Sequence, residues 1–185
     1  GTEGFEGQID DVRMYTRALT ASDIGELYSL GDVPVTYPAS NGADNTYEWI
    51  TNVTYAGINN TTGAETGGYE DYTSTDIATV TQGDSNTLTI GINYDDSASG
   101  NPDHVKAWID WNQNGDFDDA GEEVYTRTFM ADGSFGITVN TPETALLGET
   151  RMRVSMNWIA DPASFGTLNY GEVEDYTVTV QAGGP

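Results

Sequence analysis

From about residue 46 to residue 181 almost all of the chain reads as β, and in places apolar side chains recur at every second position. Val105, Ala107, Ile109 and Trp111 fall on one face of an extended segment, and Met152, Val154 and Met156 on one face of another. Candidate strands on this pattern are 47–56, 77–80, 86–93, 104–111, 123–129, 135–139, 150–157 and 172–180, with glycine, asparagine and aspartate clusters between them. No long 3.6-residue pattern intervenes. Short strands with turn-rich spacers predict an all-β fold, an antiparallel and jelly-roll-like β-sandwich.

The first residues read differently. Residues 8–15 (QIDDVRMY) predict a short strand. Over 20–28 (TASDIGELY), Thr20 with Asp23 three residues later suits a capped helix start, and Ile24, Leu27 and Tyr28 recur at helical spacing. Pro34 and Pro38 mark a linker. The reading is one short N-terminal helix ahead of the sandwich, with boundaries 1–33, 34–45 and 46–181.

Charge narrows the partners. The 185 residues include 30 acidic and 6 basic side chains, for a formal charge of −24. A small domain ordinarily carries about 2–8 charges in magnitude. Nucleic acid, whose phosphates require Lys and Arg, is therefore not an expected partner, and neither is an anionic membrane surface. There is no cysteine and a single histidine, His104, so a metal would have to be held by oxygen. His104 itself reads as a strand-edge residue. Three Asn-x-Thr sequons, at Asn52, Asn59 and Asn60, read as chance in so Asn- and Thr-rich a chain.

The acidic residues are not scattered evenly. Asp110, Asn112 and Asn114 stand at positions 1, 3 and 5 of a loop, with Gly115 at position 6. Alternate oxygen side chains can then face one centre while glycine allows the sharp turn, the opening pattern of a calcium loop. Asp116 would offer its carbonyl, and Asp118 or Glu122 would close the site. Position 12 of an EF-hand requires Glu but Gly121 stands there, and a strand enters the loop where a helix should. The expected ligand set is thus Asp110, Asn112, Asn114, Asp116, Asp118 and Glu122 around Ca2+.

Gly171 to Val178 (GEVEDYTV) and Gly68 to Ser74 (GYEDYTS) share Glu-Asp-Tyr-Thr. Two roles suit these carboxylates. One is to complete metal sites, Glu172 or Asp175 with Asp110 or with Asp71. Or Glu172, Glu174 and Asp175 pair with Arg151 and Arg153, a third of all basic residues, two apart on one strand face; the charge pair is the favoured reading, with Asp71 in a second clamp. Trp49 reads as core. Of Trp108 and Trp111, one reads as core and the other as a prop for the loop. Trp158 opens a long loop with Phe165 and Tyr170, and these three are the candidate ligand-binding residues, the alternative being a Trp158 that only anchors the loop. No nucleophile–base set stands out, and no carboxylate pair is singled out for glycoside hydrolysis, so the chain is not expected to be an enzyme.

Five blocks in order, Tyr47–Val53, Gly68–Thr73, Trp108–Glu122, Thr150–Met156 and Gly171–Tyr176, make residues 45–181 resemble the GEVED domain family. Asn114 stands where that family often has Asp, which removes one formal charge and keeps the oxygen. Residues 4–30 resemble the closing strand and helix of a laminin-G/concanavalin-like domain, most of which is not in this chain. The resemblance implies a non-catalytic β-sandwich accessory domain of a secreted or cell-surface bacterial protein, often marine, covalently joined to neighbouring domains. The expectation is a calcium-stabilised monomeric module that binds extracellular polysaccharide. Its alternatives are a purely structural spacer and a protein- or matrix-adhesion module.

Overall fold

The computed structural model describes residues 17–19, 35–94 and 100–184. The chain divides into two compact units, Gly1–Val35 and Thr36–Pro185. The expected strand over 8–15 and helix over 20–28 fall in the first unit and lie outside the described residues; the architecture below is that of the second.

The described residues form twelve strands: β1 (Ser40–Gly42), β2 (Trp49–Tyr55), β3 (Ile58–Thr61), β4 (Tyr69–Asp71), β5 (Ile77–Thr81), β6 (Ser85–Asn93), β7 (Asp103–Ile109), β8 (Glu123–Phe129), β9 (Gly133–Asn140), β10 (Gly148–Trp158), β11 (Gly166–Leu168) and β12 (Glu172–Gln181). One sheet runs β4-β12-β10-β7-β8, with β5 also on β12. The second runs β3-β2-β6-β9, and β1 pairs with β11. The described residues contain no helix, and so none that could cross a membrane.

The period-two rows of the sequence become the core. Val105, Ala107 and Ile109 of β7, Met152, Val154 and Met156 of β10, and Tyr176, Val178 and Val180 of β12 meet Val53 and Tyr55 of β2 and Leu88, Ile90 and Ile92 of β6. Burial of each Val, Leu, Ile or Met among them contributes about 1.5–3 kcal/mol. In β2 the register shifts between Ile50 and Asn52, and this bulge lets Ile50 and Val53, three apart, both face inward. Trp49, expected in the core, is only half-buried at the start of β2.

The sandwich is not purely antiparallel. β4 and β5 run parallel to β12, and β1 runs parallel to β11. Parallel neighbours need a long connection, and about a hundred residues separate β4 from β12. The consequence bears directly on the repeated motif. Glu70 is the register partner of Glu174, and Asp71 of Asp175, so the two Glu-Asp copies lie side by side. Like charges directly opposite on neighbouring strands are destabilising, and each pair requires its own remedy.

Candidate functional site: a cation loop, two carboxylate clamps and an aromatic rim

β7 ends at Ile109 and β8 begins at Glu123, so the loop between them carries Asp110 to Glu122. Its base is closed by the Ile109 amide donating to the Glu122 carbonyl at 2.9 Å. Asp110 is fully buried and acts as the anchor of the loop. Its Oδ1 accepts from the Asn114 amide at 3.2 Å, and its Oδ2 accepts from the Gly115 amide at 3.0 Å and from the Tyr37 hydroxyl at 2.9 Å. A ladder of side-chain turns follows: Asn112 Oδ1 accepts from Asn114 N, Asn114 Oδ1 from Asp116 N, and Asp116 Oδ1 from Asp118 N. Gly115 takes φ 92°, a left-handed conformation that a side chain would strain.

The carboxylates that converge are Asp116, Asp119 and Glu122, each with one oxygen within 4.8 Å of the others, a group that could hold a metal ion. Asp118, expected among the ligands, lies outside this cluster, and its amide donates to Asp116; its neighbour Asp119, equally exposed, belongs to it. Asp110, the expected first ligand, has both oxygens turned to N–H and O–H donors of the loop and of Tyr37. Asn112 and Asn114 both donate their Nδ2 to Asp119 Oδ2, at 2.7 and 2.8 Å. Glu122 accepts from the Trp111 and Asp119 amides. Burial, together with the charges of Asp110 and Asp119, pushes its carboxyl up to about 7. No Lys or Arg among the described residues donates to this set.

The clamp in the GEVEDYTV strand splits by face. Successive residues of β12 point to opposite sides of the sheet. Asp175 points away from the core and receives a bidentate fork from Arg153, Nε to Oδ1 at 2.7 Å and Nη2 to Oδ2 at 2.8 Å, plus Arg151 Nη1 at 3.0 Å. Both arginines therefore serve Asp175. Asp71 gains from them only at a distance: burial opposes its ionisation, but the Thr73 hydrogen bonds and the Arg151 charge hold it below its ordinary value.

Glu172 and Glu174 lie on the core face, paired in register with Met156 and Val154, and meet neither arginine. Their expected pairing with Arg151 and Arg153 is corrected by the strand alternation itself. Glu172 instead accepts the Ile50 amide (3.0 Å) on Oε2, and the Glu65 amide (2.7 Å) and Asn45 Nδ2 (3.1 Å) on Oε1, tying β12 to the opposite sheet. Glu174 is fully buried; Oε2 accepts from the Tyr176 hydroxyl at 2.8 Å and Oε1 has no hydrogen-bond partner. Burial, with the charges of Glu172 and Glu65 adding to it, pushes Glu174 up to about 8, so at neutral pH it is mostly a neutral acid. That is the remedy for the Glu70–Glu174 pair, as the arginine fork is for Asp71–Asp175.

Loop and clamp share a wall that no sequence signal indicated. Tyr37, in the stretch expected as linker, stacks on Phe117 of the cation loop with centroids 5.3 Å apart, and the Arg151 guanidinium lies 4.6 Å from its ring centroid. Arg153 Nη1 donates to the carbonyls of Pro38 and Ser164. Trp108 lies 6.5 Å from Phe117 and props the loop, whereas Trp111 is in the core.

The expected ligand-binding rings lie at the other end of β10. Trp158 is half-buried and meets Tyr170 edge-to-face with centroids 5.3 Å apart; Tyr170 is 38% exposed and Phe165 53%. His104, near the start of β7, bonds Asp161 of this loop through Nδ1 at 2.8 Å, and Lys106 pairs with Asp161 and with Glu123.

Among solved structures the chain is similar to the CARDB domain of the PF1109 protein from Pyrococcus furiosus, determined in complex with di-metal ions, at 12% identity over 75% of this chain and 92% of that one, with a TM-score of 0.38. No curated protein matches the chain. Residues 104–179, which carry β7, the cation loop, the Arg151–Arg153 strand and the Gly171–Tyr176 motif, match the family model of the GEVED domain.

Proposed function

We propose that this chain is a GEVED-type accessory module of a secreted bacterial protein, non-catalytic and calcium-stabilised, which binds uncharged extracellular polysaccharide. The observation that carries the binding reading is the exposure of the rim rings. Phe165 and Tyr170 face solvent on a loop that His104 and Lys106 of β7 tie down through Asp161. Exposed aromatic faces on a fixed loop suit the apolar faces of sugar rings. The test is retention of the chain on insoluble cellulose, chitin and xylan, with calcium and with chelator. Wild type should be retained, and Trp158→Ala should lose retention while keeping its melting temperature within a few degrees.

The cation reading rests on the chemistry of the donor set. Asp116, Asp119 and Glu122 offer only hard oxygens, Glu122 and the adjoining Asp110 are buried, and no basic side chain among the described residues balances them. Such a set suits Ca2+ better than softer transition metals. When bound, the ion would supply the missing positive charge. Asn112 and Asn114, whose Nδ2 atoms donate to Asp119, could serve as ligands only through their amide oxygens. No redox or hydrolytic step is assigned to it. The catalytic reading is set aside because the two carboxyls most displaced upward, Glu122 and Glu174, are buried in the loop and in the core rather than facing each other across a cleft.

A calcium-rigidified spacer is the second reading, favoured by the Tyr37 contacts that fasten the segment after Val35 to the cation loop. A chain that melts lower with chelator but is retained by none of the polymers, nor by collagen, would be that spacer.

A further inference from the structure

Ile159 is the one β-branched residue with positive φ among the described residues, at 69°. That region is ordinarily left to glycine, asparagine and aspartate, and a bulky β-branched residue there is a genuine outlier. The turn is closed by the Ala160 amide donating to the Trp158 carbonyl at 2.9 Å, a three-residue turn whose positive-φ form is rare and strained. The strain gains nothing for the core, because the Ile159 side chain is 49% exposed.

The surroundings fix this conformation from several sides. The Ile159 amide donates to the Pro102 carbonyl at 2.9 Å. Asn157 Nδ2 donates to the Ala160 carbonyl at 2.9 Å. Asp161 is held by His104 and Lys106 at 2.8 and 3.3 Å. Strain that neighbouring contacts over-determine, at an exposed apolar residue, is the pattern of a binding element. Immediately before it stands Trp158, packed against Tyr170.

We propose that Ile159 is a contact residue of the polysaccharide site, held in a strained turn so that its side chain flanks the Trp158–Tyr170 pair. This inference rests on the binding reading above. The charge of the surroundings selects the ligand. Lys106 and His104 are already engaged by Asp161 and Glu123, so they are not available to an anion. The chain as a whole carries −24. A uronate or sulfated chain would be repelled, and an uncharged glycan, whose ring faces carry apolar C–H groups, suits an aliphatic side chain beside aromatic ones.

The test uses the full chain and its Ile159→Asn, Ile159→Gly and Ile159→Val variants. Retention is measured on cellulose, chitin and xylan, with alginate and gelatin alongside, and melting temperature is measured on the same samples. Asparagine accepts the left-handed backbone, so Ile159→Asn should melt at or above wild type, by up to about 4 °C, while its affinity falls roughly tenfold, the scale of one lost apolar contact. Ile159→Gly should likewise lose affinity and remain folded. Ile159→Val keeps the apolar contact and should retain most of the affinity. Wild type and Ile159→Asn retained equally on the same polymer would overturn the inference alone. Wild type retained only on gelatin or alginate, or on nothing, would overturn the binding reading and this inference with it.

Discussion

Glu174→Gln isolates the buried acid of the GEVEDYTV strand. Glutamine keeps the shape and can still accept from the Tyr176 hydroxyl, but it cannot ionise. The groups facing position 174 are Glu172 of the same strand, Glu65 of the covering loop, the register partner Glu70 of β4, and the phenols of Tyr72 and Tyr176. None is cationic, so among the described residues only the hydroxyls of Tyr176 and Thr62 favour an ionised Glu174, and burial outweighs them. In the unfolded chain the carboxyl titrates near 4.5, and in the folded one near 8. A raised carboxyl stabilises the fold fully below its unfolded value, and this contribution is lost as pH rises through its folded value. Wild type should therefore lose on the order of 1.4 kcal/mol per pH unit from this group between about pH 5 and pH 8, on the order of 4–5 kcal/mol in total. Urea unfolding at pH 5, 6, 7, 8 and 9, at fixed calcium concentration, measures it. Glu174→Gln should match wild type within about 1 kcal/mol at pH 5 and exceed it increasingly toward pH 9. Parallel pH profiles for the two proteins would refute a neutral Glu174.

Three further outcomes are expected. Chelation should lower the melting temperature by on the order of 10 °C if calcium is present at about a thousand times its dissociation constant; Asp119→Ala should abolish that difference in scanning calorimetry and Asp118→Ala should preserve it, and the reverse result would show that the wrong aspartate has been placed in the site. Arg153→Ala leaves the fully buried Asp175 without its fork and should cost about 3–5 kcal/mol in chemical unfolding. Gly171 takes φ 103°, and a Cβ there would strike the Met156 carbonyl, so Gly171→Ala should cost at least about 3 kcal/mol in the same assay.

The sequence by itself determined which residues face inward on the long strands, because a side-chain period of two is local. Rows such as Val105-Ala107-Ile109 and Met152-Val154-Met156 needed no partner to be recognised. It also determined that the Asp110–Glu122 stretch is an acidic loop between strands, because Asn, Asp and Gly carry their turn chemistry within a few residues. It could not give the direction of pairing. That β4 and β5 lie parallel to β12 depends on connections about a hundred residues long, and the three- and four-residue strands β1, β3, β4 and β11 are too short to leave a period. The site shows the same division. Arg153 and Asp175 could be matched by charge, but only the alternation of β12 as seated on β10 turned Glu172 and Glu174 to the opposite face, away from both arginines. Asp119 and Asp118 are chemically identical and both exposed, and only the backbone path through the loop brings one of the two carboxylates within reach of Asp116 and Glu122. Tyr37 joins Asp110 across 73 positions of sequence, a contact that exists only once the sandwich has formed.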